Sequence, residues 1–324
     1  MEDKGECGLG GIAVTSPLYT DLRKRPRSAG RDRESALRQA PWNGTLGLAI
    51  SGVRLDIHGL PLALERTLSK RFHLFVSPTL AGAEADLSVR VRPAVVKGYL
   101  EYDKSQSRSY RLETRTSGER LHVWSYAFAG WFEIDGKEGE VSLCDSDVEP
   151  PERSIENFLR VVFAWKASVR GGFLFHASGL VRHGKAYLFF GPSGSGKTTV
   201  TRLSANDLLL NDDCIHITRR NGEFRANGVP FKGRDEGGAE NAGDFPIAGL
   251  FRLVQSRRVC FEPLSTAAAV SEIVASIPFM SERKEGLERN LAVAEDLSRA
   301  VPVGRLQFRL APDFWNIIEE SLRG

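Results

Sequence analysis

Cysteine is scarce. Four stand in 324 residues, at positions 7, 144, 214 and 260, and no two form a CxxC pair. That spacing speaks against a zinc site or a disulfide framework and fits free thiols in a reducing compartment. Long apolar runs are missing too. The longest, around Ala186–Phe190, falls far short of the roughly 18 residues a spanning helix needs. The start, Met1-Glu-Asp-Lys-Gly, has no apolar signal core, so a cytoplasmic protein without membrane association is expected. His58, His73, His122, His183 and His216 show no metal-ligand spacing. A dominant charge is also lacking. The net charge is +3, but residues 21–40 alone carry +4 through seven Arg and Lys against three acids, which leaves the remainder at −1. A near-neutral body gives no case for nucleic-acid binding.

With 41% hydrophobic and 26% charged residues, the composition is that of an ordinary globular chain, long enough for about two domains. Residues 1–45 hold few large apolar side chains and no sustained period, and read as a disordered basic leader. From Leu46 the pattern turns strand-like. Leu48, Ile50, Val53, Leu55 and Ile57 suggest strands broken at Ser51-Gly52, followed by a helix from Pro61 to Arg71. Leu87, Val89 and Val91 alternate with polar residues. Further strands are expected at Tyr110–Thr116, Leu121–Ala127, Trp131–Ile134 and Glu140–Leu143. Residues 46–150 therefore read as a small antiparallel α+β domain with Trp124 and Trp131 in its core. Asp147–Arg153 reads as a linker, with Ser154 capping a helix that ends near Gly171-Gly172. Beyond it, the strand–loop–helix–strand rhythm over 151–324 is that of a nucleotide-binding α/β core.

The strongest signal is Gly191-Pro192-Ser193-Gly194-Ser195-Gly196-Lys197-Thr198, a complete G-x-x-x-x-G-K-[ST] between a buried strand and a helix. Such a loop curls its N–H groups inward onto phosphate oxygens. Gly191, Ser193, Gly194, Ser195 and Gly196 would form this cradle, with Thr199 a further nucleotide-binding candidate. Lys197 would reach the β/γ-phosphates of ATP, and the Thr198 hydroxyl would ligate Mg²⁺. Leu208-Leu209-Leu210-Asn211-Asp212-Asp213 reads as a strand ending in two carboxylates on the strand neighbouring the loop strand. Adjacent residues of an extended chain point oppositely, so one acid can face the metal while the other faces an accepting hydroxyl. His176 lies in the strand Gly172–Val181, which hairpins into the loop strand through Arg182-His183-Gly184-Lys185.

His-Ala-Ser-Gly-Leu-Val (176–181), the loop segment (184–198) and Leu-Leu-Leu-Asn-Asp-Asp (208–213) together resemble the HPr serine kinase family. The closer likeness is to its divergent members found beside peptide-modification genes. The resemblance covers roughly 155–320 and is specific over 172–213. It extends to Gly228-Val229-Pro230-Phe231 and to Val301–Phe308 with Phe314-Trp315. It implies a P-loop core of HPr kinase/carboxykinase type that uses ATP and Mg²⁺ to phosphorylate a hydroxyl, most simply serine of a protein or peptide. Asp213 would then be the base, with Asp212 nearer Mg²⁺ and His176. Residues 46–150 would select the acceptor, and homo-oligomerisation is left open. The chain departs from the family at Pro192, where Asp is usual, and at Thr199, where Glu is usual. Lys232 and Arg234 are weaker candidates for stabilising phosphoryl charge. A transport-type ATPase would need an LSGGQ-like signature, which the chain lacks. A carboxykinase would need a longer chain and a second metal-ligand cluster. A nucleotide-binding module without turnover is the remaining alternative.

Overall fold

The structure is a computed structural model, and it describes residues 41–79, 84–95, 98–101, 110–231, 241–279 and 284–323. The leader, Lys232 and Arg234 thus lie outside the described residues, save that the first strand takes in residues 42–45.

The described residues form a mixed α/β structure built on two sheets. The first holds β1 (Trp42–Ile50), β2 (Val53–Pro61), β3 (Val76–Ser77), β4 (Leu87–Pro93), β5 (Glu113–Ser117), β6 (Arg120–Trp124), β7 (Phe128–Glu133) and β8 (Glu138–Leu143), in the order β3-β1-β2-β4-β8-β7-β6-β5. It is not purely antiparallel, as the alternating pattern had led us to expect. β2 runs parallel to β4, and β4 parallel to β8. Parallel neighbours need a crossover of a dozen or more residues. The helix α1 (Leu62–Arg71) and the turns after it supply the first. The three strands β5–β7 span the second.

Leu121, Val123, Phe128 and Phe132 alternate onto the buried face of this sheet. Trp124 and Trp131 do not join them. They fall on the opposite, half-buried face, where the Arg120 guanidinium lies 3.7 Å from the Trp131 ring centroid. Period-two alternation around Val123 and Phe132 puts both tryptophans out of phase with the core.

The helix α2 (Pro151–Val169) starts three residues before the expected cap, with Pro151 in its first turn. Pro is tolerated there because its missing N–H would have had no intrahelical acceptor. Ser154 therefore lies within the helix, and the chain leaves it at Gly171 with φ +73°. Residues 154–168 are all buried. Phe158 meets Phe128 and Phe132 edge-to-face at 6.2 and 6.5 Å, while other residues of α2 share a core with Leu174, Cys214, Val229 and Phe231 of the second half. A helix buried all round belongs between layers, and α2 serves both halves.

The second sheet holds β9 (Phe173–Phe175), β10 (Ala177–Arg182), β11 (Lys185–Phe190), β12 (Leu208–Asn211), β13 (Ile215–Arg220), β14 (Glu223–Asn227), β15 (Asp244–Gln255), β16 (Cys260–Pro263) and β17 (Val303–Phe308). Its order is β12-β10-β11-β15-β14-β13-β9, with β17 beside β15 and β16 beside β17. β11, β15 and β17 run parallel. The apolar run of β11 is buried on both faces, as central parallel strands are. Ala186, Leu188 and Phe190 pack with the helices α4 (Thr266–Val274) and α5 (Lys284–Ala300). Tyr187 and Phe189 pack with α3 (Lys197–Leu203) and α6 (Phe314–Arg323). Among the described residues no helix is long and apolar enough to cross a membrane, and Cys144, Cys214 and Cys260 are free thiols.

At the junction of the halves, the Tyr110 hydroxyl donates to Glu149 Oε1 at 2.5 Å and Asn157 Nδ2 donates to the same oxygen at 2.8 Å. Burial pushes this carboxyl up to about 7. A carboxyl raised above its unfolded value stabilises the fold fully below the unfolded pKa of about 4.3 and loses that contribution as pH rises toward 7. Glu149→Gln should flatten this part of the stability curve between about pH 4.3 and 7. Urea unfolding of both proteins across that range checks it.

Candidate active site

The loop after β11 owes its shape to its glycines. Gly191, Gly194 and Gly196 have φ of +141°, +81° and +108°. Gly196 has a second constraint, because a Cβ there would stand 2.5 Å from Phe308 Cζ. Only glycine both adopts that conformation and lets β17 approach. Lys197, the first residue of α3, turns back and donates from Nζ to Gly191 O at 2.8 Å. Gln255 Nε2, at the end of β15, donates to Gly194 O at 2.7 Å and ties the loop tip to the sheet. Ser195 Oγ is buried without a hydrogen-bond partner among the described residues. Ser193 and Thr198 are exposed, and Thr199 is half-buried.

His176 is not inside a continuous strand. The chain breaks there, with β9 pairing β13 and β10 pairing β11 and β12. The His176 N–H donates to Ser276 O at 2.8 Å. The expected hairpin is present, closed by Arg182 opposite Lys185 over His183 and Gly184, both at positive φ. That is the two-residue turn favoured by strand twist.

The carboxylates differ from expectation in two ways. Their strand β12 pairs β10, so one strand separates it from the loop strand β11. Asp212 and Asp213 also lie in a bend beyond Asn211, so strand alternation does not set their directions. Asn211 sets the bend. Its Oδ1 accepts the N–H groups of Asp213 and Cys214 at 2.8 and 3.1 Å. Its Nδ2 donates to Val229 O and Phe231 O at 2.8 and 3.0 Å. Ser178 Oγ holds Asp212 O at 3.0 Å. Asn211→Ala would strand these buried groups at about 1–3 kcal/mol each. A melting temperature lowered by several degrees is expected, and a calorimetric scan against the parent checks it.

Asp213 is the meeting point. His176 Nδ1 lies 3.4 Å from its Oδ1, and Arg160 Nη1, from α2, lies 3.2 Å from its Oδ2. His176 thus pairs with Asp213, where Asp212 had been expected nearer to it. Burial would raise the Asp213 carboxyl, but Arg160, His176 and Lys197 outweigh it and hold the group below the usual range. Burial lowers His176; Asp213 opposes this, and Lys197 and Arg160 add to it. Burial also lowers Lys197, against the pull of Asp213. At neutral pH the cluster is an ionised carboxylate beside a neutral imidazole and an ammonium. Such a carboxylate can accept a proton.

His176, Asp213 and Cys214 also bring ligand atoms within 4.8 Å of one another. They make a poor cation site. Burial pushes the Cys214 thiol well up, and the charges of Arg160 and Lys197 already serve Asp213.

Sequence reasoning missed Arg160, Asn211 and Gln255. Only Arg160 left a trace, since Glu156 and Arg160 stand four apart among the apolar residues Ile155, Phe158, Leu159, Val162 and Phe163.

A family model described as SynChlorMet cassette protein ScmC matches residues 144–323, more than half of the chain. Among curated proteins none matches. Among solved structures, that of the Hpr(Ser) kinase/phosphatase from Coxiella burnetii is similar at 14% identity and a TM-score of 0.27, covering 46% of this chain and 95% of that one. An overlap that slight transfers neither a fold nor a reaction.

Proposed function

The chain belongs to the SynChlorMet cassette protein ScmC family, and on that footing we propose that it is an ATP-dependent kinase that phosphorylates a hydroxyl, serine of a protein or peptide. One observation carries the reading. The Asp213 carboxylate is pinned between His176 and Arg160, and the charge of Lys197, the lysine of the glycine loop motif, helps to hold its pKa down. A proton acceptor coupled to that lysine supports the reading.

In this reading the loop receives the β- and γ-phosphates through its N–H groups and Lys197. The buried Ser195 hydroxyl, without a hydrogen-bond partner among the described residues, suits a phosphate oxygen. Thr198 and Asp212 offer the hard oxygen ligands that Mg²⁺ takes, and bound there it would neutralise phosphate charge. Asp213 removes the proton of the accepting hydroxyl as that oxygen bonds to phosphorus and the bond to the ADP oxygen breaks. His176 holds the carboxylate in line. Positioning and charge neutralisation suffice for such a transfer. Residues 46–150 present the acceptor.

The test is γ-phosphate transfer from radiolabelled Mg-ATP by the purified chain, with and without serine-containing proteins and peptides. Label entering an acceptor supports the kinase. Release only to water, whatever acceptor is present, would make the chain an ATPase. Binding without turnover would make it a nucleotide-binding module.

A further inference from the structure

A line of alternating charge runs through the interior from α1 to the carboxylate bend. Arg71, the last residue of α1, donates from Nε to Glu156 Oε2 at 2.5 Å. Arg160 Nη2 donates to Glu156 Oε1 at 3.2 Å, and Arg160 Nη1 to Asp213 Oδ2 at 3.2 Å. The side chains of Glu156 and Arg160 are 0% and 2% exposed. Arg153 flanks the line, 3.5 Å from Glu156 Oε1. Phe231 lies beneath the Arg160 guanidinium, with its ring centroid 5.7 Å away.

Stability alone does not explain such an arrangement. Desolvating buried ions is costly, and well-packed apolar residues of similar volume often do as well or better. What a guanidinium supplies is geometry. Its rigid fork holds two carboxylates at fixed angles, which an ammonium on a flexible stem cannot do. One arm rests on Glu156, which Arg71 and Arg153 hold in turn, and the other rests on Asp213.

We infer that Arg160, anchored through Glu156, is a positioning residue for the Asp213 carboxylate, a role that rests on the functional reading above. Arg160 touches the carboxylate. The placement of the reactive oxygen is therefore referred to α2, and through Glu156 and Arg71 to α1.

The test reads His176, which is faced by Asp213, Lys197 and Arg160. The His176 ring is titrated by NMR in the full chain, without nucleotide or acceptor, for the parent, Arg160→Met and Arg160→Lys. In Arg160→Met a repelling charge is lost and the Asp213 carboxylate is left to His176, so the midpoint should rise by about one unit. Arg160→Lys restores the charge without the fork and should rise less. A folded Arg160→Met with the parent midpoint overturns the inference. If that variant does not fold, Arg160→Lys decides: a raised midpoint upholds the inference, and an unmoved one overturns it. With any acceptor the parent phosphorylates, Arg160→Met should lower kcat and leave KM for Mg-ATP unchanged; the reverse split counts against a positioning role. The titration needs no turnover, so a parent chain that never transfers phosphate would sink the kinase reading and leave the titration result standing.

Discussion

Asp213→Asn is expected to keep Mg-ATP binding while phosphoryl transfer falls by about 10²–10⁴-fold, the usual worth of a positioned base. The substitution keeps the shape and the Arg160 contact but removes the proton acceptor. Arg160, His176 and Lys197 hold the carboxyl below its ordinary range, so the base is already ionised throughout the neutral region. Above pH 6, the deficit should therefore not be recovered by raising the pH. Asp212→Asn is expected to behave differently, with activity returning as Mg²⁺ is raised. Single-turnover transfer across a Mg²⁺ titration separates the two. If the parent rate survives in Asp213→Asn and not in Asp212→Asn, the roles are exchanged. Full activity in both removes the kinase reading.

Lys197→Ala should have the largest effect on nucleotide affinity. The ammonium is partly desolvated, with burial lowering its pKa, and it rests on the loop carbonyl of Gly191 at 2.8 Å. A phosphate arriving there would exchange a neutral acceptor for a charged one. Losing a buried charge-assisted contact typically costs about 2–5 kcal/mol, so affinity for Mg-ATP should drop roughly thirtyfold or more, with transfer abolished. The loop conformation rests on its glycines and on Gln255, so the fold should survive. Calorimetry with Mg-ATP, beside a circular dichroism melt, checks both halves. Parent-like affinity in a folded Lys197→Ala would take the loop out of nucleotide binding.

Local chemistry made the strand–loop–helix around Gly191–Thr198 and the hairpin at His183-Gly184 legible, since glycines and apolar runs encode them within a few residues. The ends of α2 were legible only in part, because Pro at a first turn reads equally well as a linker. What the sequence hid is what distant segments decide. Parallel pairing of β2, β4 and β8 depends on where crossovers land. The half-buried tryptophans depend on the phase of a pleat that one misplaced residue reverses. Glu156 and Arg160 look like a solvated pair at helical spacing, and only packing α2 between two sheets buries them. Asn211 looked like the end of a strand. Its work comes from Val229 and Phe231, some twenty residues downstream.

The sharing of α2 also bears on how the chain is made. Strands β1–β8 emerge from the ribosome before the helix that covers them, and their core also draws on Leu174, Cys214, Val229 and Phe231. Until α2 has been synthesised, the first sheet waits with an apolar face uncovered, and until roughly residue 231 the far side of α2 does, the exposure that leads nascent chains to aggregate or engage chaperones. A chain stopped after β8 should therefore be a poor folder in isolation, and the complete chain should unfold in one step, its halves inseparable in denaturant.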